Sequence, residues 1–435
     1  MKASLSYSGK VPICLAALLV SAASALGQQM QPTRSSYLGE QGPQTALNVL
    51  IEEAERNNPE LLAADHGSRA AANASRAASA FPDTRLSLES FSVGSPRPGA
   101  GLSHSDFAYI GFGGSQEIPY PGKRKLRGQI ADRETDSQKE QANAARRQII
   151  DKLKSSYFQL AYLQQMLVIL ERNDQVLSDI EKIAESRYRV GQGNQQDVLK
   201  AQLQHTKIML EITMHHRDEG QLQVQVKQLL GRAQDTPDIV TVPLAARTLS
   251  YSAADLLSAT KEQNPDVRVR AALLGKADAQ INLAKKGFLP DFNVDYMFQR
   301  TGNSFPAYYV ATFGINLPNR GRRKAELAQA NELREQANQE LAAERQRQMG
   351  EVQSQYVLAS TSEEQLKIYK DGLIPQSDAT FRSALAAYQS NRQDFESLLS
   401  SFLDLLNLDL DYQRELATHE AALARLESLT GVTMQ

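Results

Sequence analysis

The sequence contains a single cysteine, Cys14, and no tryptophan. One thiol cannot close an internal disulfide, so this chain is not a disulfide scaffold. Past residue 27 no apolar run reaches the ~18 residues that a membrane-spanning helix requires. Neither sign of charge dominates: the net charge is −2 and the pI about 6.4, which leaves no basic field for a nucleic-acid partner. Zinc-finger spacing, a phosphate loop, Gly-x-Ser-x-Gly and His-Glu-x-x-His are all missing, so no catalytic residue, cofactor or resident metal is expected. His205, His215 and His216 fall on one helical stretch without His-x-x-x-His spacing. They read as a solvated helix face, and Met209 and Met214 as packing residues rather than metal ligands.

The first residues are a secretory leader by pattern. Lys2 and Lys10 precede the short apolar run "VPICLAALLVSAA", and Ala25 and Gly27 supply small residues before a cleavage point. Residues 1–27 are assigned to this signal peptide. Cys14 lies within it; as a lipid-attachment site it is disfavoured by bulky Ile13. An exported chain without apolar helices is periplasmic, secreted or an outer-membrane β-barrel.

The chain is a duplication. "NNPEL" at Asn57 matches "QNPDV" at Gln263, "FPD" at Phe81 matches "LPD" at Leu289, and "IPYPGKRK" matches "LPNRGRRK". "SRYRVGQGNQQDVL" matches "AAYQSNRQDFESLL" in the same order. Each repeat begins with a helical stretch, about Thr45 to Ala80 and about Ala253 to Gly287, which an X-Pro pair ends. Two short strands follow, at about 84–93 and 106–118, then at about 291–300 and 307–317. In "FNVDYMFQR", Phe292, Val294, Tyr296 and Phe298 alternate with Asn293, Asp295 and Gln299. In "YVATFGINL", Tyr309, Phe313, Ile315 and Leu317 share one side, whereas the first-repeat runs are noisier and rich in glycine.

Glycine and proline are both absent from Gln129 to Val190. The apolar series Ile149, Leu153, Tyr157, Leu160, Leu163, Leu167 and Leu170 predicts a long amphipathic rod, with the helix at about 122–189. Its counterpart covers about 320–388, with Gly372 and Pro375 predicting a kink or break. Short tips lead into return helices that end near Leu230 and Thr430. The organisation is a leader, an extension at 28–44, a first repeat at 45–231, a linker at 232–252 and a second repeat at 253–431.

Four strands cannot close a barrel, since known single-chain bacterial ones start at about eight. An open sheet cannot sit in lipid with unsatisfied edges. Several chains must therefore share one barrel, and the rods extend from it into the periplasm.

The ordered set of duplication, X-Pro breaks, "LP…GRRK" junctions and Tyr-x-x-Gly-type tips resembles the TolC-type outer-membrane efflux proteins. The resemblance extends from about Thr45 to Thr430. It implies a mainly α fold with a small β part. A homotrimer would form a twelve-stranded barrel in the outer membrane, continuing into a periplasmic α-helical barrel. The implied function is the exit duct of a tripartite efflux or secretion system, with a periplasmic adaptor and an inner-membrane pump as partners. "PYPGKRKLR" looks most like the branch served by RND pumps, heavy-metal systems included. The alternative is a periplasmic coiled-coil or adaptor protein without a pore.

By the same resemblance, Tyr188, Gly191, Gly193, Asp197, Tyr388, Asn391, Arg392, Asp394 and Glu396 form the periplasmic tip, which gates the duct and docks the adaptor. Where the family carries gating acids on the second return helix this chain has Ser397 and Ser400, so Asp394 and Glu396 are the candidate substitutes. The competing role for these acids is helix capping.

Two basic clusters stand where strand gives way to helix: Lys123, Arg124, Lys125 and Arg127, then Arg320, Arg322, Arg323 and Lys324. A helix start favours acids. Phosphate head groups of outer-membrane lipid are the expected counter-charge; the plainer alternative is solvated side chains at a junction.

Overall fold

A computed structural model describes residues 41–301 and 307–434. The leader with Cys14, residues 28–40 of the extension and residues 302–306 between the last two strands lie outside the described residues.

The first helical stretch is two helices, α1 (Leu47–Asn57) and α2 (Pro59–Ser79), and its counterpart is α5 (Ala253–Gln263) and α6 (Pro265–Lys286). One continuous helix was expected in each place. The Asn-Pro pair breaks it: Pro59 and Pro265 have no N–H to continue a helix and suit the first turn of a new one. Asn58 Oδ1 accepts from Glu60 N at 2.9 Å and Leu61 N at 3.2 Å, while its amide donates to Leu229 O at 2.8 Å. Asn264 repeats this with Asp266 N, Val267 N and Leu429 O. The matched motifs thus cap a helix and moor it to the end of the return helix.

Helix α3 (Lys123–Arg189) runs unbroken for 67 residues, about 100 Å at 1.5 Å per residue. The whole apolar series from Ile149 to Leu170 is buried. It packs against the return helices α4 (Gln195–Leu230) and α9 (Phe395–Thr430). The second rod is α7 (Arg320–Ile368) and α8 (Ile374–Gln389). At Gly372 and Pro375 the rod does not stop. It swells into one π turn at Tyr369–Leu373 and continues, because the wider turn absorbs the N–H that proline lacks. Among the described residues no helix is long and apolar enough to cross a membrane.

Strands β2 (Arg85–Phe91), β3 (Tyr109–Ile118), β5 (Asp291–Thr301) and β6 (Tyr308–Asn316) form one antiparallel sheet in that order. The helices below keep the same order, α2 beside α3, α3 beside α6 and α6 beside α7. Sheet and helices are thus two parts of one curved wall.

The segment read as a linker is partly a strand. β4 (Asp238–Thr241) pairs in parallel with β1 (Gln41–Thr45). Gln223 clasps Ile239 through both its N–H and its C=O, at 2.9 and 2.8 Å. The buried Lys227 reaches Asp238 at 2.8 Å. Four residues whose partner lies about 200 positions away leave no periodic signal to read.

Candidate functional site

The strand register sorts the sheet into two unlike faces. Phe112 stands opposite Phe298 and Leu88, Phe292 opposite Ile315, and Val294 opposite Phe313. Leu86, Leu88, Ile110, Phe112, Val294, Tyr296, Tyr309, Phe313 and Ile315 make one continuous apolar face, and all are exposed. Ring pairs Phe112–Phe298 at 5.4 Å and Phe298–Tyr309 at 5.3 Å tie the strands across it. The other face carries Arg85, Ser87, Glu89, Ser115, Glu117, Asn293, Asp295 and Thr312. The glycines that blurred the β3 pattern belong to this polar face. A Cβ on Gly111 would stand 2.8 Å from Phe298 O, and one on Gly113 would stand 2.9 Å from Tyr296 O. Close approach of β5 therefore excludes a side chain there.

At the foot of the sheet the first basic cluster divides. Lys123 does not face outward as a head-group contact would require. It is buried, 4% exposed, and its ammonium sits 2.9 Å from both Asp291 oxygens and from Leu289 O. Asp291 also accepts from Tyr120 N at 2.7 Å. The start of α3 thus receives its acid after all, from the second repeat, and this resolves much of the dipole conflict. Arg124 lies over the Phe81 ring, 3.4 Å from its centre, and donates to Ser79 O at 2.9 Å. Arg322 and Arg323 both bind Glu326, at 2.8 and 2.6 Å. Lys125, Arg127, Arg320, Arg322 and Lys324 remain exposed. Lys123→Ala is expected to lower stability by about 3 kcal/mol, because it leaves Asp291 half-enclosed and without its cation. Adding Asp291→Ala should recover most of that, and thermal unfolding of both variants in detergent checks it.

The two tips lie side by side. Gly191 (φ 73°) and Asn391 (φ 61°) occupy matched left-handed positions, asparagine being the side chain best suited there after glycine. Each turn closes with the same bond, Gln192 N to Arg187 O at 2.9 Å and Arg392 N to Ala387 O at 2.8 Å. At Gly193 a Cβ would press on Arg187 Cβ at 3.2 Å and Tyr188 N at 3.3 Å.

The matched tyrosines diverge. Tyr188 is 46% exposed, and Tyr388 is buried against the Phe395 ring at 5.7 Å. The Tyr388 hydroxyl has no hydrogen-bond partner among the described residues. Burial and then the charge of Asp197 push its pKa up, against the pull of Arg187. Asp197 is half-buried in the first turn of α4.

Two residues absent from the expected site hold the tips together. Arg187 donates to Tyr388 O and Asn391 Oδ1 in the second tip and to Gln192 O in its own. Its guanidinium also lies 4.3 Å from the centre of the Tyr388 ring. Lys200 pairs with Glu396, so this candidate gate acid is already neutralised from the first repeat. Asp394 caps α9, accepting from Ser397 N at 2.9 Å. Its bonds to Ser397 hold its carboxyl below the usual range. Arg187 was findable: the second repeat has Ala387 at the matching position, so an arginine there breaks the duplication.

The histidine stretch of α4 is less solvated than its sequence suggests. His205 Nδ1 faces Asp174 Oδ1 on α3 at 2.8 Å, and the His216 side chain is only 15% exposed.

Comparison with known proteins places this architecture. A family model for outer membrane efflux proteins matches residues 50–232 and 256–429, well over half of the chain. The chain belongs to the outer membrane efflux protein family. None of the curated proteins matches it by sequence. Among solved structures, the outer membrane protein VceC of Vibrio cholerae superposes with a TM-score of 0.75 at 19% identity, covering 89% of this chain and 97% of that one. CusC superposes with a TM-score of 0.76 at 18% identity, covering 91% and 95%. The open-state MtrE outer membrane channel of Neisseria gonorrhoeae does so with 0.75 at 17% identity, covering 88% of each. At these identities the likeness is one of fold. The protein is an outer-membrane efflux channel whose helices extend into the periplasm, and its function is that of an exit duct. The reading without a pore is set aside.

Proposed function

We propose that three copies of the chain close the duct. The observation that carries this is a wall with two unfinished sides. β2 and β6 each pair on one edge only. Helix α2, beside β2, has no buried residue in a single chain, and β6 is exposed along nearly its whole length. Joining β6 of one copy to β2 of the next satisfies both edges and keeps the strands antiparallel. Three copies give twelve strands, with the apolar face toward lipid and the polar face lining the duct.

In this reading the tips of the three copies meet as the periplasmic gate. Tyr188, Gly191, Gly193, Asp197, Tyr388, Asn391, Arg392, Asp394 and Glu396 form it and offer the surface to which a periplasmic adaptor docks. Arg187 and Lys200 join them as the clasps that keep each copy's two hairpins together. The inner-membrane partner is a pump, which the "PYPGKRKLR" junction suggests is of the RND class. Lys125, Arg127, Arg320, Arg322 and Lys324 are the groups left to meet lipid phosphates. The protein's role is conduction rather than chemistry.

The test is the mass of the mature protein purified from outer membranes, with detergent subtracted, together with its conductance in a planar bilayer. Three chain masses and a small, gated conductance are expected. A monomer that conducts nothing would sink the trimeric duct.

A further inference from the structure

The repeats are joined by residues 242–252, which form neither helix nor strand. Backbone without regular structure still needs partners for its N–H and C=O groups where it meets a core. Side chains of the rods supply them. Val242 N donates to the Tyr157 hydroxyl at 3.0 Å, Arg247 N to Glu420 at 2.8 Å and Leu249 N to Glu363 at 3.3 Å. The Arg247 guanidinium binds Glu420 at 2.6 Å and Glu427 at 3.1 Å. The segment is thus a strap lying across α9 and α7.

The carbonyl of this strap at Arg247 faces His419, which is fully buried on α9. His419 Nε2 lies 2.8 Å from Arg247 O, and its Nδ1 lies 3.1 Å from Ala359 O on α7. A carbonyl oxygen can only accept. A neutral imidazole has one N–H, so one of its nitrogens would turn a lone pair toward a carbonyl lone pair. The imidazolium has two N–H groups and satisfies both oxygens at once.

The charged groups around it are already matched to one another. On α7, Glu363 is held by Lys367 at 3.1 Å. On α9, Glu420 is held by Arg247, and Glu427 by Arg247 and by Lys154 of α3. No carboxylate is thus left to take the ring's proton, and the two carbonyl dipoles are the groups that favour it.

We propose that His419 is held doubly protonated and that this proton fastens the strap between the repeats to both rods. The sign follows directly. The second N–H is present while the ring is protonated and is lost as pH rises. Strap docking is therefore tight in acid and slackens toward alkaline pH, freeing the two repeats relative to each other. An unchanging neutral histidine would give no such dependence.

Two measurements on the full protein in detergent test this. The first is solid-state NMR with ¹⁵N-histidine, with the His419 ring assigned through its correlation to the Ala359 carbonyl carbon. At pH 6 both ring nitrogens should appear as N–H; a single N–H would overturn the proposal. The second is hydrogen exchange of the amides at 242–250 between pH 6 and 9, corrected for chemical exchange. Wild-type protection should fall by about tenfold, the loss of one charge-assisted hydrogen bond. His419→Gln keeps one donor and does not titrate, so its protection should stay flat. Equal slopes in both proteins, or a flat wild type, would refute the proton-held strap. The NMR result stands even if the variant does not fold.

Discussion

Tyr296→Arg should remove the protein from the outer membrane, while Met297→Arg, one residue along the same strand, should leave it there. Successive residues of a strand point to opposite faces. Tyr296 stands on the apolar face, opposite Gly114 and Ala311, and Met297 on the polar face, opposite Gly113 and Val310. An arginine toward lipid near mid-barrel costs about 2–4 kcal/mol, and a closed trimer would meet that cost three times. A side chain on the other face enters water, where the same charge is cheap. Membrane fractionation should show Tyr296→Arg depleted by an order of magnitude or more. Met297→Arg should insert normally and shift the ion selectivity in planar bilayers. Normal insertion of both variants, or loss of both, would mean that the two faces are assigned wrongly.

Arg187→Ala should open the tip. One guanidinium spans both hairpins, with two hydrogen bonds into the second tip and a face-on contact with the Tyr388 ring. Charge-assisted hydrogen bonds contribute about 1.5–3 kcal/mol each when desolvated, and a partly exposed cation–π contact about 0.5–1 kcal/mol. A net loss near 2 kcal/mol shifts a closed–open equilibrium about thirtyfold. Single-channel records should show open probability rising by roughly that factor until it saturates. Arg187→Lys keeps the charge without the forked geometry and should fall between the two. Glu396→Gln, which releases only Lys200, should have the smaller effect because that pair is largely exposed. If Arg187→Ala conducted like the wild type, the clasp would be packing and not part of the gate.

Much of the mainly helical fold can be read along the chain. A 67-residue helix needs only an uninterrupted run of helix formers with one apolar stripe, and that stripe, Ile149 to Leu170, is buried throughout. The alternation from Phe292 to Phe298 survives as one face of β5, since strand periodicity is a property of the backbone itself. The X-Pro pairs and the tip residues with positive φ are likewise local, resting on one residue's own sterics.

The misses share a different cause. "NNPEL" and "QNPDV" were matched without being understood, because the acceptors Leu229 O and Leu429 O lie at the far ends of the return helices. β4 has no pattern of its own and exists because β1 lies beside it. Lys123 looked like an outward cation until Asp291 arrived from the other repeat. The duplication itself misled at the tips, where matched tyrosines suggested matched roles and the fold buried only Tyr388.

By itself, then, the sequence determined whatever depends on one residue or one period: the leader pattern, the repeats, the rods, the strand alternation and the turns. Tertiary structure alone decided which charges are spent inside the protein and which remain for a partner. Lys123, Arg187, Lys200 and His419 each acquire their role from a group more than 50 positions away. Such pairings are set by how the wall folds back on itself, and short-range periodicity carries no record of that distance.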